Sequence, residues 1–163
     1  MQLLISDANI LIDMEEGRLI APMFKLPYQF VIPEILFAEE LEEAHQYLLK
    51  AGLQLGELDA DAMRDVAGLT QRYNRTSRYD CFALALARAR ACPPLTGDKA
   101  LRNAAEQEAV TVKGTLWLVE EMVRCGLLTI AEARFAYGRM NAAGSRLPWD
   151  VAEARLKTLE KGQ

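Results

Sequence analysis

The sequence has few of the side chains that build a zinc or disulfide site. It contains one histidine, His45, and three cysteines, and no two of the cysteines stand in a CxxC spacing. Structural zinc sites take four cysteine or histidine ligands at short, regular spacings. We therefore expect no zinc site, and the odd number of cysteines favours a reducing compartment such as the cytoplasm.

Long apolar runs are also missing. No stretch approaches the roughly 20 apolar residues that cross a bilayer, and no basic region precedes the apolar residues that follow Met1. The sequence predicts neither a membrane span nor a signal peptide, so we expect a cytoplasmic protein.

Positive charge is not in excess, because the 163 residues carry a formal net charge of −4 at pH 7. The chain as a whole is therefore not attracted to nucleic acid. Locally, basic residues surround Asp80 and follow Asp98, and they are Arg72, Arg75, Arg78, Arg88, Arg90, Lys99 and Arg102. A basic rim around an acidic centre suits a phosphate-containing substrate, although each arginine could equally be a solvated residue on a helix face.

Strand and helix patterns alternate along most of the chain. Short apolar runs predict strands at 3–6, 30–32, 95–96 and 109–112, and leave 53–58 ambiguous. Periodic apolar residues predict helices between them, including one long helix from Pro33 to about Lys50. This alternation predicts an α/β fold in which helices cover both faces of a parallel sheet.

After Gly114 only helical patterns occur. They predict helices at 115–124, 129–143 and 151–160, and Thr129 to Glu132 has the spacing of a capping box. We therefore divide the chain into an α/β domain at 1–125 and a helical C-terminal extension at 126–163 that packs on or beside it.

Four acidic residues stand where strand and helix patterns meet, namely Asp7, Glu39, Asp80 and Asp98. Side chains at the carboxyl ends of parallel strands, or on the helix turns beside them, can meet in one crevice. A cluster of carboxylates without histidine or cysteine suits Mg²⁺ or Mn²⁺. Such ions activate water and neutralise phosphate charge, so the cluster predicts metal-dependent phosphodiester hydrolysis.

Neighbouring polar residues are candidates for supporting roles. Asn9 could orient Asp7 or a metal-bound water, and Thr96 and Lys99 could contact the metal ligands or the phosphate. Asp7 and Asp80 could instead act only as helix caps. The sequence predicts the other acidic residues, including Asp13, to be solvated charges or caps.

Glu39 and Glu40 compete for one position. Adjacent residues of an α-helix point about 100° apart, so only one of the two can face the crevice. Glu39 shares its stripe with Ile35 and Leu36, whereas Glu40 shares its stripe with Leu36 and Phe37. The periodicity does not choose between them.

These segments, in this order, resemble PIN-domain proteins over the range from Leu3 to about Val119. The matching pieces are Asp7-Ala8-Asn9-Ile10-Leu11-Ile12, the helix from Pro33 to Leu41, Asp80 with its apolar helix, and Leu95-Thr96-Gly97-Asp98-Lys99. The resemblance implies a Rossmann-like three-layer α/β/α sandwich with a parallel central sheet. It also implies a ribonuclease that depends on Mg²⁺ or Mn²⁺.

The resemblance implies four catalytic acids, Asp7, Glu39, Asp80 and Asp98, of which the three aspartates bind the metal. It favours Glu39 because the family has an Ala-Glu pair at this distance from the second strand. Glu40 is a departure, because an apolar residue usually follows that glutamate.

Small bacterial PIN proteins resemble the VapC-type toxins, ribonucleases that a cognate antitoxin protein silences. The resemblance implies an RNA substrate, a homodimer and, for a toxin, an antitoxin partner. Those toxins are usually shorter, and their core does not account for 129–160, which is more similar to PIN-like proteins with a helical tail. The alternative is a non-catalytic PIN-like module that binds protein or RNA.

Overall fold

Four short strands form one all-parallel sheet in the computed structural model, which describes residues 1–162. They are β1 (Gln2–Ser6), β2 (Tyr28–Pro33), β3 (Gln54–Gly56) and β4 (Pro94–Leu95), in the spatial order β3-β2-β1-β4. The inner parts of β1 and β2 are buried, as expected for parallel strands with helices on both faces. The predicted α/β fold with a parallel central sheet is confirmed.

Helices connect and cover these strands. They are α1 (Ala8–Glu16), α2 (Ile20–Met23), α3 (Glu34–Leu36), α4 (Tyr47–Ala51), α5 (Ala60–Arg72), α6 (Arg78–Arg90), α7 (Lys99–Gln107), α8 (Thr115–Arg124), α9 (Ile130–Ala142) and α10 (Trp149–Lys161). Helix α6 is buried on every side from Cys81 to Ala87, because it lies between the sheet and α5. Within residues 1–162, no helix combines the length and the apolar character that a membrane crossing requires.

Most of the predicted helix starts are correct because they are encoded locally. Asp7, Asp59, Ser77 and Asp98 each accept a hydrogen bond from the backbone N–H three residues later, which satisfies a donor that the first helical turn leaves free. Thr129 begins α9 with the predicted capping box.

The long helix predicted from Pro33 to about Lys50 is wrong. The chain is α-helical only at 34–36 before it forms a π-helical turn, which the Glu42 N–H closes by donating to the Phe37 carbonyl at 2.8 Å. Four glutamates lie within 39–43, and like charges three or four residues apart disfavour a regular helix. Helix α4 begins only after this segment.

The strand predicted at 109–112 is also wrong. Ala109 has a left-handed backbone with a φ of 60°, and the chain meets the sheet only where Lys113 bridges Leu95. Lys113 donates to the Pro94 carbonyl at 3.0 Å and accepts from the Thr96 N–H at 2.9 Å. Because β4 is only two residues long, it cannot pair with a strand of four residues at 109–112.

Helices α9 and α10 pack against α1 and α8. Ala133, Ala136 and Met140 of α9 are fully buried, and the Arg139 guanidinium donates to the Gly17 carbonyl at 2.8 and 3.2 Å. On the α8 side, the 2% exposed Glu120 accepts a hydrogen bond from the Arg155 guanidinium at 2.6 Å. Apolar burial and charged hydrogen bonds thus attach both helices to the rest of the fold.

Replacing Arg155 with alanine should destabilise the protein. Glu120 would keep only Arg124, at 3.6 Å, as a partner for its buried charge. We expect the free energy of unfolding, measured with urea at pH 7, to fall by about 2 kcal/mol, because a buried carboxylate is costly without its partner. Lys157→Ala, at an exposed position of the same helix, is the control, and an equal loss there would contradict the role of the ion pair.

Candidate carboxylate site

Asp7 lies directly after β1 and is only 3% exposed. Its Oδ1 accepts the Ile10 N–H at 2.9 Å and its Oδ2 accepts the Thr96 hydroxyl at 2.7 Å. Thr96, which follows the neighbouring strand β4, is itself buried, and its oxygen accepts the Asp98 N–H at 3.0 Å. Since that oxygen already accepts a donor, its own proton is directed to Asp7. The two strand ends thus hold the Asp7 carboxylate in one orientation.

The environment of Asp7 opposes its negative charge. Burial raises the pKa of this carboxyl to about 7, although the hydrogen bonds from Thr96 and Ile10 act in the opposite direction. The charges of Asp80 and Asp13 raise the pKa further. Asp7 is therefore a carboxyl group that gains or loses its proton near neutral pH, and a nearby cation would favour the charged form.

Asp80 and Asp98 lie at the first turns of two helices. Asp80 is the third residue of α6, and its N–H donates to the Ser77 hydroxyl at 3.1 Å. Asp98 caps α7 by accepting the Leu101 N–H at 2.8 Å. Burial raises the pKa of Asp80, hydrogen bonding with Ser77 lowers it, and the charge of Asp98 raises it. Asp80 is thus near enough to Asp7 on one side and to Asp98 on the other for their charges to interact.

Glu40 lies close enough to Asp80 for the charge of Asp80 to act on it. Burial raises the pKa of Glu40, and the charge of Asp80 raises it further. Glu39 and Glu40 both lie in the π-helical turn, where i to i+5 hydrogen bonds change the side-chain directions that an α-helical periodicity assumes.

Asp7, Glu40, Asp80 and Asp98 are linked pairwise by these electrostatic effects, and we call these four residues the carboxylate group. Its all-oxygen donor set fits a hard divalent cation such as Mg²⁺ or Mn²⁺. In the described part of the chain, no three acidic, histidine or cysteine side chains stand close enough together to coordinate one ion. The residues therefore fit a cation by donor type, and binding one would require their oxygens to come closer together.

Asp13 is not the solvated charge that the sequence predicts. It is half-buried, its Oδ1 accepts the Ser145 hydroxyl at 2.7 Å, and its Oδ2 accepts the Thr115 hydroxyl at 3.1 Å. Burial raises the pKa of Asp13, and its charge in turn raises the pKa of Asp7. The four-residue spacing of Asn9 and Asp13 on α1 is the sequence signal for this polar face.

The two remaining supporting candidates differ in position. Asn9 is exposed and, together with Asp98, lines a crevice of about 480 Å³ beside the carboxylate group. Lys99 is exposed at the first residue of α7 but does not line this crevice.

The basic rim predicted around Asp80 is wrong for two of its arginines. Arg72 and Arg88 pair with Glu108 at 3.1 and 2.5 Å, and Arg88 also lies 3.5 Å from Asp65. Arg78 instead packs over the ring of Phe82 at 5.5 Å. The side chains of Arg72, Arg78 and Arg88 therefore make contacts within the protein.

We compared the sequence with models of known protein families. The family model described as a PIN domain matches residues 3–161, a range that includes both C-terminal helices. A search of curated proteins finds no match. PIN domains are generally nucleases and typically use divalent metals, which supports a hydrolase of the nuclease type. On this match over nearly its whole length, the chain belongs to the PIN-domain family.

Proposed function

We propose that the protein is a metal-dependent ribonuclease that hydrolyses RNA phosphodiester bonds at the carboxylate group. The supporting observation is that, beyond the effect of burial, the charge of Asp80 raises the pKa of Asp7 and of Glu40, and the charge of Asp98 raises the pKa of Asp80. A group of carboxylates that repel one another would also repel a phosphate. A divalent cation between them removes both repulsions, so the chemistry of the group favours metal dependence.

Asp7, Asp80 and Asp98 would hold Mg²⁺ or Mn²⁺, as predicted. We assign to Glu40 the catalytic role predicted for Glu39. When bound, the cation would neutralise phosphate charge and lower the pKa of a water molecule.

The chain's own residues orient the reacting groups. Thr96 and the Ile10 N–H hold both Asp7 oxygens in one orientation. Glu40 is exposed, and its pKa is raised by burial of part of its carboxyl and by Asp80. A carboxylate with a raised pKa at the edge of the site suits a group that accepts the proton of the attacking water.

A narrower proposal is that the protein is the toxin of a toxin–antitoxin pair. It rests on the resemblance to small bacterial PIN proteins alone. The proposal includes a cytoplasmic homodimer and an antitoxin protein that blocks the carboxylate group.

A cleavage assay with paired variants tests the ribonuclease and its residues. We expect Mn²⁺-dependent cleavage of end-labelled RNA to fall by about 100-fold or more in Asp7→Asn and Glu40→Gln, as for loss of a ligand or a proton acceptor. Glu39→Gln, the matched control one residue away, should retain most of the activity. EDTA should stop cleavage by the wild-type protein.

Two results would change the proposal. Activity lost in Glu39→Gln but kept in Glu40→Gln would return the catalytic role to Glu39. RNA that the wild-type protein binds and retards without shortening, in the presence of Mn²⁺, would identify a non-catalytic PIN-like binding module.

The raised pKa of Asp7 also predicts how stability depends on pH. Its ordinary value is 3.8 and its folded value is about 7, so the folded state binds a proton that the unfolded chain releases between these values. Folding stability attributable to Asp7 is therefore present below about pH 4 and is lost as pH rises toward 7. An asparagine at position 7 carries no charge, so the Asp7→Asn variant does not lose this stability as pH rises.

In EDTA, the free energy of unfolding of Asp7→Asn should rise relative to the wild type by about 4 kcal/mol between pH 4 and pH 8, while the altered bond to Thr96 lowers the stability of the variant equally at every pH. Urea unfolding across this pH range measures the difference. Glu57→Gln, which removes an exposed carboxyl outside the site, serves as the control. A stability difference that does not vary with pH would show that Asp7 is not protonated in the folded protein.

A further inference from the structure

A groove of about 860 Å³ separates the α/β core from the C-terminal helices. One wall is the segment 109–117, which runs from the end of α7 into α8, and the other wall is the segment 146–155. We call this space the extension groove. It exists only because α10 and the loop before it stand opposite the edge of the sheet.

The extension groove joins the crevice beside the carboxylate group. Gly97, Arg146 and Leu147 line both spaces, and the crevice also contains Asn9 and Asp98. Gly97 directly precedes Asp98, and no atom lies within 4 Å of where a Cβ would stand at Gly97. Of the carboxylate group, Asp98 thus lines a crevice that shares Gly97, Arg146 and Leu147 with the groove.

Basic residues dominate the charges that line the groove. Four cations, Arg102, Lys113, Arg146 and Arg155, face one acidic residue, Glu106. Arg155 is already paired with Glu120, but no carboxylate of residues 1–162 lies within ion-pair distance of the other three cations. A chain with a net charge of −4 thus concentrates uncompensated positive charge beside its most acidic site.

Contacts hold these cations in place. The Arg102 guanidinium lies 3.4 Å from the Thr96 carbonyl and packs over Gly114, where a Cβ would come within 2.9 Å of it. The Lys113 ammonium lies 5.3 Å from the centre of the Trp117 ring. Arg102 is thus anchored to the residue that orients Asp7.

Arg146 is tied to the site through its neighbour. Ser145 bonds to Asp13, whose charge acts on Asp7. Arg146 is itself exposed, and it is the one cation that lines the crevice. It therefore stands where a phosphate next to the reacting one would pass from the carboxylates into the groove.

We propose that the extension groove binds the phosphate backbone of the RNA strand on one side of the cleaved bond, with Arg146 at the junction and Lys113 farther along. This inference rests on the proposed ribonuclease function and adds a substrate path to it. Spaced cations that lack carboxylate partners recognise a chain of phosphates without regard to sequence. The C-terminal helices are then part of the substrate-binding surface.

The test compares two double variants that remove the same charges. Lys113→Gln/Arg146→Gln changes the groove, and Lys25→Gln/Lys50→Gln changes exposed cations that line neither the groove nor the crevice. The probe is a fluorescein-labelled oligouridylate, bound in EDTA at low salt and followed by fluorescence anisotropy. Circular dichroism and urea unfolding confirm that both variants are folded.

We expect the groove variant to bind the probe about tenfold more weakly than the wild type and the control variant to bind it almost as well as the wild type. The slope of log K against log salt concentration should fall by about 1.4 in the groove variant, because each lost contact to a single strand contributes about 0.7. Equal weakening of both variants, no weakening of the groove variant, or no binding by the wild type would each overturn the proposal.

Two further measurements separate the alternatives. An unlabelled polyglutamate peptide that displaces the probe as well as unlabelled RNA would show that the groove takes an acidic protein segment, which overturns the RNA assignment. Binding is read without cleavage, so a probe held by the groove but not cut in Mn²⁺ would reject the ribonuclease and keep the groove. Cleavage of RNA in Mn²⁺, together with normal binding of the probe by the groove variant, would keep the ribonuclease and reject the groove.

Discussion

The rest of the site depends on a buried carboxylate whose two oxygens are held by residues that follow two different strands, Ile10 in the first turn of α1 and Thr96 after β4. Asp7 follows β1, and its partner Thr96 follows β4, so parallel pairing of these strands is what brings the two together. A carboxylate this deeply buried is costly unless it is hydrogen-bonded, and the Ile10 N–H and the Thr96 hydroxyl meet that need. These hydrogen bonds do not fully offset the cost of burying the charge, and the remaining cost raises the pKa of Asp7.

The sequence predicts correctly what short-range chemistry determines. Asp7 and Asp98 follow apolar strands and cap the next helices, so their positions depend on residues close in the chain. Short-range patterns do not tell which of Glu39 and Glu40 faces the site. A π-helical turn replaces the predicted α-helix there, so an α-helical periodicity does not give the directions of Glu39 and Glu40. The order of the motifs is readable in the sequence, whereas the side-chain direction depends on tertiary packing.

Distance along the chain explains the other errors. The sequence predicts Asp13 to be a solvated charge because its partners, Thr115 and Ser145, lie 102 and 132 residues away. The sequence places Arg88 in a basic rim because Arg88 is near Asp80 along the chain, yet in the structure Arg88 pairs with Glu108. Hydrogen bonds and ion pairs between distant residues leave no periodic signal in a single sequence, so they emerge only from the folded structure.

The Asp13 contacts also link the C-terminal helices to the chemistry of the site. The loop between α9 and α10 supplies Ser145, one of two hydroxyls that compensate the Asp13 charge. If this loop moved away, Asp13 would lose a donor while remaining near Asp7, and repulsion between the two carboxylates would increase. The same movement would carry Arg146 away from the crevice. The position of the loop thus determines both the electrostatic balance around Asp7 and the positive charge available to a substrate, so the C-terminal helices cannot be separated from the site.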